Sequence, residues 1–493
     1  MARSSLTTTV RPRRSPARPR AARRVRTRLD SFEATDTSTL TVSASFLVRG
    51  DSPRDRSAHE ARLAHEFVEK NHAVLSELGA SAVPQFDGSR VGLVFRTGAT
   101  VGAVPLRSPT TGQYDYGFTV RPRFPWQGIG TMLGEMGWRV IPAPLSLPLL
   151  PRSDRKIPPW VLSTIVLFRI QALLRQLERR FEMVEEERQA PRGNVDWARY
   201  ATGSIARGNF LRVPCRFPDL RDDRSLKSAI RFTLAKQLGS LEGQRASGLH
   251  VVKLLELCSA LLDQVRDVLP REPTPSELDG WLRRPLKAIA FNEGIQAIEW
   301  TAGERGLAGL SDLQGLPWSM SMESFFEAWV EGVLGVVAQR IGGVVRTGRQ
   351  LQTIAPLKWD PPYLGSQKYL LPDVMLERDD LTVIVDAKYK EHWEEMQTAS
   401  WRDLEQELRE RHRADLLQVL AYANVATTRR VVVCLAYPCS NATWESLKQR
   451  ERLFHRASLS AGERQVELIL TAFPMGIRMS AVAGEFAAEI SRE

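Results

Sequence analysis

A chain of 493 residues with 43% hydrophobic and 25% charged residues is long enough for two to four domains with apolar cores, which excludes a disordered or fibrous polymer. Its most apolar run, WVLSTIVLF at 160–168, is cut by Arg169 well short of the roughly 20 residues a bilayer demands, so it reads as a buried helix and no membrane is expected as a partner. The charge of +11 is concentrated at one end: ten arginines against Asp30 give residues 1–30 +9, and the remaining 58 basic and 56 acidic residues leave +2.

Residues 1–36 contain RPRRSPARPRAARRVRTR (11–28), rich in Pro and Ala without hydrophobic periodicity, and read as a disordered arginine-rich tail. It is either a nucleic-acid-binding arm or a solvated extension. Arg23-Arg24 is followed by no apolar stretch, which argues against a secretion signal. Residues 37–155 are β-rich: LTVSASFLV (40–48) is a candidate strand, a helix is expected around 59–78, and VGLVFRT, TVGAVPL and YGFTVRP are short strands. Residues 156–320 are mainly helical, with apolar residues at three- and four-residue spacing over 249–269. Thr274, Pro275 and Glu277 there spell a capping box. The last block is 321–493. The whole is therefore an α/β (α+β) chain. Cys215, Cys258, Cys434 and Cys439 form no CxxC pair and no zinc-spaced cluster, so they read as reduced thiols of a cytoplasmic protein.

Two glycine strings carry no nucleotide chemistry. GIGTMLG (128–134) spaces its glycines GxGxxxG with no buried strand before it and reads as a turn, and TGATVG (97–102) lacks a following GK[ST]. No Walker A lysine occurs in the chain, so a P-loop motor is not expected within it.

The chemistry concentrates in LPDVMLERDDLTVIVDAKYK (371–390). Asp379-Asp380 is a two-residue turn; counting outward pairs Arg378 with Leu381, Met375 with Ile384, and Asp373 with Asp386. Alternation puts Lys388 on the face of Asp386. Facing carboxylates destabilise a ladder unless a cation lies between them. A hard ion such as Mg²⁺ or Mn²⁺ suits one or two carboxylates plus neutral oxygens, here Asp373, Asp386 and the Ala387 carbonyl. Lys388 then orients or deprotonates a water, or stabilises charge on a phosphate. A surface hairpin with an Asp–Lys ion pair is the plain alternative. Upstream, a helix over 321–337 presents Phe325, Phe326, Trp329, Val330 and Val333, with Glu327 at the edge of that face as a further acid, whereas Glu323 and Glu331 read as solvated. Downstream, a helix over 414–424 aligns Asp415, Gln418 and Tyr422; the last two either contact DNA phosphates or hold the lysine in place.

The order FFEAWV, LLPDVML, VIVDAKYK and DLLQVLAYA, over about 321–424, resembles the PD-(D/E)xK nuclease superfamily and, more narrowly, the McrC family of nuclease subunits in McrBC-type modification-dependent restriction systems. RGNVDWARYATGSIARGNFLRVPCRFPDLRDDRSLKSAIRFTL (192–234) is similar to a further stretch of that family, with Ser228 where an asparagine is expected. The resemblance implies a nuclease core with a mixed central sheet flanked by helices. It implies Mg²⁺-dependent hydrolysis of DNA phosphodiesters in antiviral defence, driven by a separate McrB-like AAA+ GTPase or ATPase. By residue, it implies Asp373 and Asp386 as metal ligands, Lys388 as the catalytic lysine, Glu327 as the helix acid, and Gln418 with Tyr422 as the supporting pair. Alternatives are a RecB- or Cas4-like processing nuclease, whose iron–sulfur cysteine set is not supplied here, and a non-catalytic DNA-binding subunit on the same fold.

Overall fold

The computed structural model describes residues 30–48, 56–88, 90–149, 157–177, 180–221, 223–283, 288–307, 315–363, 365–390, 406–461 and 464–492. The arginine-rich stretch 1–29 lies outside them. The end of the segment expected to be a disordered tail is instead a strand: Asp30–Thr35 runs parallel to Tyr114–Arg121. Tyr114–Arg121 continues antiparallel to Thr100–Arg107, and Trp318–Ser321 and Ala143–Pro144 complete this five-stranded sheet. A second sheet sets Arg90–Thr97 between Thr39–Ser43 and Ala80–Asp87. The helix Arg56–Glu77 buries Leu63, Phe67 and Leu75 in a cluster with Phe95, Tyr116 and Phe118. The strand expected over 40–48 stops at Ser43, whose hydroxyl accepts from the Ser45 N–H and starts a turn of 3₁₀ helix.

The helical middle contains Pro159–Leu174, Arg224–Glu242, Leu249–Gln264, Pro275–Leu282 and Ile289–Ala302. Pro159–Leu174 is apolar all round, and accordingly Trp160, Val161, Ile165, Val166, Leu167 and Ile170 are all buried. Thr274 and Glu277 form the expected capping box. This block also holds a three-stranded sheet that helical spacing did not foretell: Arg180–Arg188 pairs with Val213–Arg221, which pairs with Asn194–Val195. The run Glu185-Glu186-Glu187 hides the first of these strands from any hydrophobic pattern.

GIGTMLG is not a turn but part of the helix Trp126–Glu135. Its glycines are there for space: a Cβ at Gly128 would lie 2.6 Å from the Met475 carbonyl oxygen, and one at Gly130 2.8 Å from His250 Nε2.

The C-terminal part is a six-stranded mixed sheet in the order Val344–Thr347, Val374–Glu377, Leu381–Ala387, Arg430–Cys439, Arg464–Pro474, Phe454–Ala461. The first three strands and the last pair are antiparallel neighbours; the middle three are parallel. Alternation sorts the side chains onto two faces. Val374, Leu376, Val383 and Val385 pack with the helices Met322–Ile341 and Met479–Ile490. Met375, Ile384 and Val433 pack with Gln406–Tyr422 and Asn441–Gln449. Helices thus cover both faces, as parallel strands buried on both sides require. Among the described residues no helix is long and apolar enough to cross a membrane. All four cysteines are buried and form no disulfide.

Candidate active site

The hairpin register is the one counted from the turn. Arg378 and Leu381 exchange both backbone hydrogen bonds, at 2.9 and 3.3 Å, around Asp379-Asp380, and Glu377, Met375 and Val374 face Thr382, Ile384 and Val385. One step further along, Asp373 lies in a bend just past the last paired residue, and its carboxylate comes close to Asp386 and Ala387. In an antiparallel ladder hydrogen-bonded and non-hydrogen-bonded pairs alternate. Arg378–Leu381 is bonded, and by the same alternation so is Val374–Val385, the last pair of the ladder.

The next position is the proline. Pro372 lies beyond the last paired residue of its strand and has no N–H to give to a neighbouring strand. The Ala387 N–H donates to Asp373 Oδ2 at 2.8 Å, which fixes that carboxylate beside the strand end. The Pro372 carbonyl accepts from Thr353 Oγ1 at 2.6 Å.

Asp386 is 1% exposed, and its Oδ2 has no aligned hydrogen-bond donor among the described residues. The Lys388 ammonium stands 2.7 Å from it as an ion-pair partner. Lys388 Nζ also donates to Gln418 Oε1 at 3.0 Å, Gln418 Nε2 donates to the Tyr422 hydroxyl at 2.7 Å, and that hydroxyl donates to the Leu371 carbonyl at 3.3 Å. Of the two roles open to Gln418 and Tyr422, holding the lysine is the one their bonds perform. Burial pushes both aspartates above the usual carboxylate range; the Asp386 charge raises Asp373 further, while Lys388 opposes the rise at Asp386. Burial works against the Lys388 charge, but Asp386 and Asp373 outweigh it and its pKa is raised.

Glu327 lies half-buried on Met322–Ile341; burial raises its pKa, Arg349 opposes the rise, and Asp386 is close enough to add to it. It does not join the aspartates as a ligand cluster: no three His, Cys, Asp or Glu side chains among the described residues gather to hold a metal. Glu331, expected in solvent, is buried and paired with Arg139 at 3.4 Å and Arg349 at 3.9 Å. The donor set is thus two carboxylates, one of them with a buried unaligned oxygen, and the Ala387 carbonyl at the strand end. That set fits a hard divalent ion keeping several waters.

Sequence reasoning missed what clamps the other side of the lysine. Tyr389 is buried, and its hydroxyl donates to Asp36 Oδ2 at 2.6 Å, across 353 positions of chain. Asp36 Oδ1 accepts from the Arg123 N–H at 2.7 Å, and the Arg123 guanidinium lies over the Tyr389 ring at 4.5 Å. Lys390 pairs with buried Asp415 at 2.7 Å. The DAKYK string signals Tyr389 and Lys390 as neighbours of the site, but nothing in the sequence singles out Asp36.

No protein-family model and no curated protein matches the chain. Two solved structures are similar to it. One is the refined half-complex from a tetradecameric assembly of Thermococcus gammatolerans McrB AAA+ hexamers with bound McrC, at 13% identity and TM-score 0.39, covering 93% of this chain and 100% of that one. The other is the Thermococcus gammatolerans McrBC complex, at 13% identity and TM-score 0.26, covering 62% of this chain and 87% of that one.

Proposed function

We propose that the chain is a divalent-metal-dependent deoxyribonuclease with a PD-(D/E)xK core, the nuclease subunit of a McrBC-like restriction system. One observation carries the reading: at the end of the hairpin the Asp373 carboxylate, held by the Ala387 N–H at 2.8 Å, comes close to the buried Asp386, with the Lys388 ammonium 2.7 Å from Asp386. A salt-bridged surface hairpin has no need to bury Asp386 to 1% exposure.

Asp373, Asp386 and the Ala387 carbonyl would hold Mg²⁺ or Mn²⁺. When bound, the ion supplies Lewis acidity and neutralises phosphate charge. The Ala387 N–H orients Asp373. Gln418, itself braced by Tyr422, sets the Lys388 ammonium at the edge of the acid pair, where it can donate to a phosphate oxygen or orient a water. Glu327 adds negative charge from the neighbouring helix. DNA as the substrate and a separate AAA+ NTPase as the driver rest on the sequence resemblance and on the missing Walker A lysine.

The test uses the full chain with any NTPase that co-purifies with it. Plasmid cleavage should vanish in EDTA and return with Mg²⁺ or Mn²⁺. Asp386→Ala should abolish it while the circular dichroism spectrum stays unchanged. Wild-type cleavage by that variant would refute the assignment, and efficient cleavage by the chain without any NTPase would refute the partner.

A further inference from the structure

The chain leaves the C-terminal sheet after Thr347 and returns at Val374, two residues that pair with each other. The excursion therefore springs from the end of the sheet that carries Asp373. It is tied down there: the Gly348 N–H donates to the Asp373 carbonyl at 2.7 Å, and Thr353 holds the Pro372 carbonyl. Its outer part is a small hairpin in which Ala355–Pro356 pairs with Tyr369–Leu370 and the Leu357 N–H donates to Lys368 at 2.8 Å.

This hairpin presents aromatic rings to solvent. Trp359 is 44% exposed, Tyr363 59% and Tyr369 43%. The Trp359 indole N–H donates to the Gln367 carbonyl at 2.9 Å, and Trp359 meets Tyr363 edge-on at 6.1 Å, so the rings are held in place rather than folded away. Lys358 and Lys368 flank them with Asp360 as the single acid between Leu351 and Leu370. At about 3.3 Å per residue, the path from Asp373 up the stem to Trp359 spans no more than about 30 Å, or roughly nine base pairs of duplex. The rings therefore lie no further from the acids than the length of a short DNA segment.

We infer that the hairpin 351–370 is a DNA-contacting arm of the active site. Trp359 and Tyr363 stack on an unpaired base near the cut phosphodiester, and Lys358 and Lys368 contact the flanking phosphates. Pinned aromatics interleaved with lysines are the chemistry that grips a single-stranded stretch. The inference rests on the nuclease reading, which places DNA at the acids.

The experiment measures anisotropy of a labelled 30-base-pair duplex, fully paired or with a three-nucleotide gap, bound by the full chain in EDTA so that no cleavage intervenes. Trp359→Ala/Tyr363→Ala should weaken binding of the gapped duplex at least tenfold and of the paired duplex far less. Trp359→Phe/Tyr363→Phe should bind the gapped duplex nearly as wild type. Lys358→Ala/Lys368→Ala should weaken both DNAs and lower the slope of log K against log salt by about 1.8, about 0.9 per phosphate contact. Unchanged affinity of the alanine pair for gapped DNA, or no binding of either DNA by the wild-type chain, would overturn the arm. So would loss of a co-purifying NTPase with DNA binding intact, which would make this face a protein interface. If the arm fails while Asp386→Ala still abolishes cleavage, the nuclease reading survives. If Asp386→Ala cleaves at the wild-type rate, that reading fails whatever the arm does.

Discussion

Pro372 matters for the hydrogen it lacks. On the proposed metal site, an N–H at position 372 would be free to compete for the Ala387 carbonyl that the ion would use. Pro372→Ala should therefore weaken Mn²⁺ binding by about tenfold or more, the scale seen when groups supporting a ligand are lost, while the fold is retained. Calorimetric titration reads this directly, and an unchanged affinity would remove the Ala387 carbonyl from the site. Asp36 acts at longer range. Asp36→Ala leaves the Arg123 N–H and the Tyr389 hydroxyl buried without their acceptor, at a cost of about 2–4 kcal/mol in urea unfolding; Asp36→Asn should cost much less. Burial holds the Asp36 carboxyl above its ordinary 3.8, although Tyr389 and Arg123 oppose the rise. The folded chain thus takes up this proton before the unfolded chain does. Wild type should gain stability relative to Asp36→Asn as pH falls from neutral toward about 4, and a constant difference would contradict the buried carboxyl.

At the scale of elements, the contact between Trp126–Glu135 and Leu249–Gln264 is set by two glycines, Gly130 and Gly134, against one histidine, His250. Gly130→Ala drives a methyl into His250 and should cost about 1–3 kcal/mol. His250→Ala removes the obstacle, so the double variant should cost less than the sum of the two. A fully additive cycle would mean that the helices do not meet there. His250 is buried beside Trp160, 4.7 Å between ring centres, and neither ring nitrogen has a partner among the described residues. Burial lowers its pKa to about 4. The unfolded chain takes up that proton first, so stability should be lost as pH falls from about 6.5 to about 4, by up to about 3 kcal/mol. The sign is opposite to that of Asp36, and His250→Gln should abolish this component alone.

Across the whole molecule, one apolar cluster runs from Trp160 and Ile230 in the middle helices through Phe325, Phe326 and Trp329 to Val383 and Phe486 in the C-terminal sheet. The junction is continuous as well: Trp318–Ser321 belongs to the first sheet, the Ser321 hydroxyl caps Met322–Ile341, and the Met322 N–H donates to the Ala99 carbonyl. The helix Met322–Ile341, which covers one face of the C-terminal sheet, therefore shares its apolar cluster with the other blocks. A fragment of residues 322–493 should fail to give a soluble monomer with native near-ultraviolet dichroism, because the face around Phe326 and Trp329 would stand open to water. A folded, monomeric fragment would show that this core is separable.

Local rules sufficed wherever neighbours in sequence decide geometry. A two-residue turn sets a register, so the pairing of Arg378 with Leu381 and Met375 with Ile384 was legible in the sequence, as were the buried helix at 160–168, the capping box at Thr274 and the placing of Gln418 and Tyr422 one turn apart. Where long-range packing decides, the same rules failed. GIGTMLG became a helix because His250 and Met475 press against its glycines, Glu331 went inside because Arg139 and Arg349 wait for it there, and Asp30–Thr35 became a strand because Tyr114–Arg121 offered it an edge. The Asp36–Tyr389 bond and the Thr353–Pro372 bond that ties the Trp359 hairpin to the sheet end belong to this second kind. Their partners are set by which sheet ends meet, and periodicity within a short window carries no record of that.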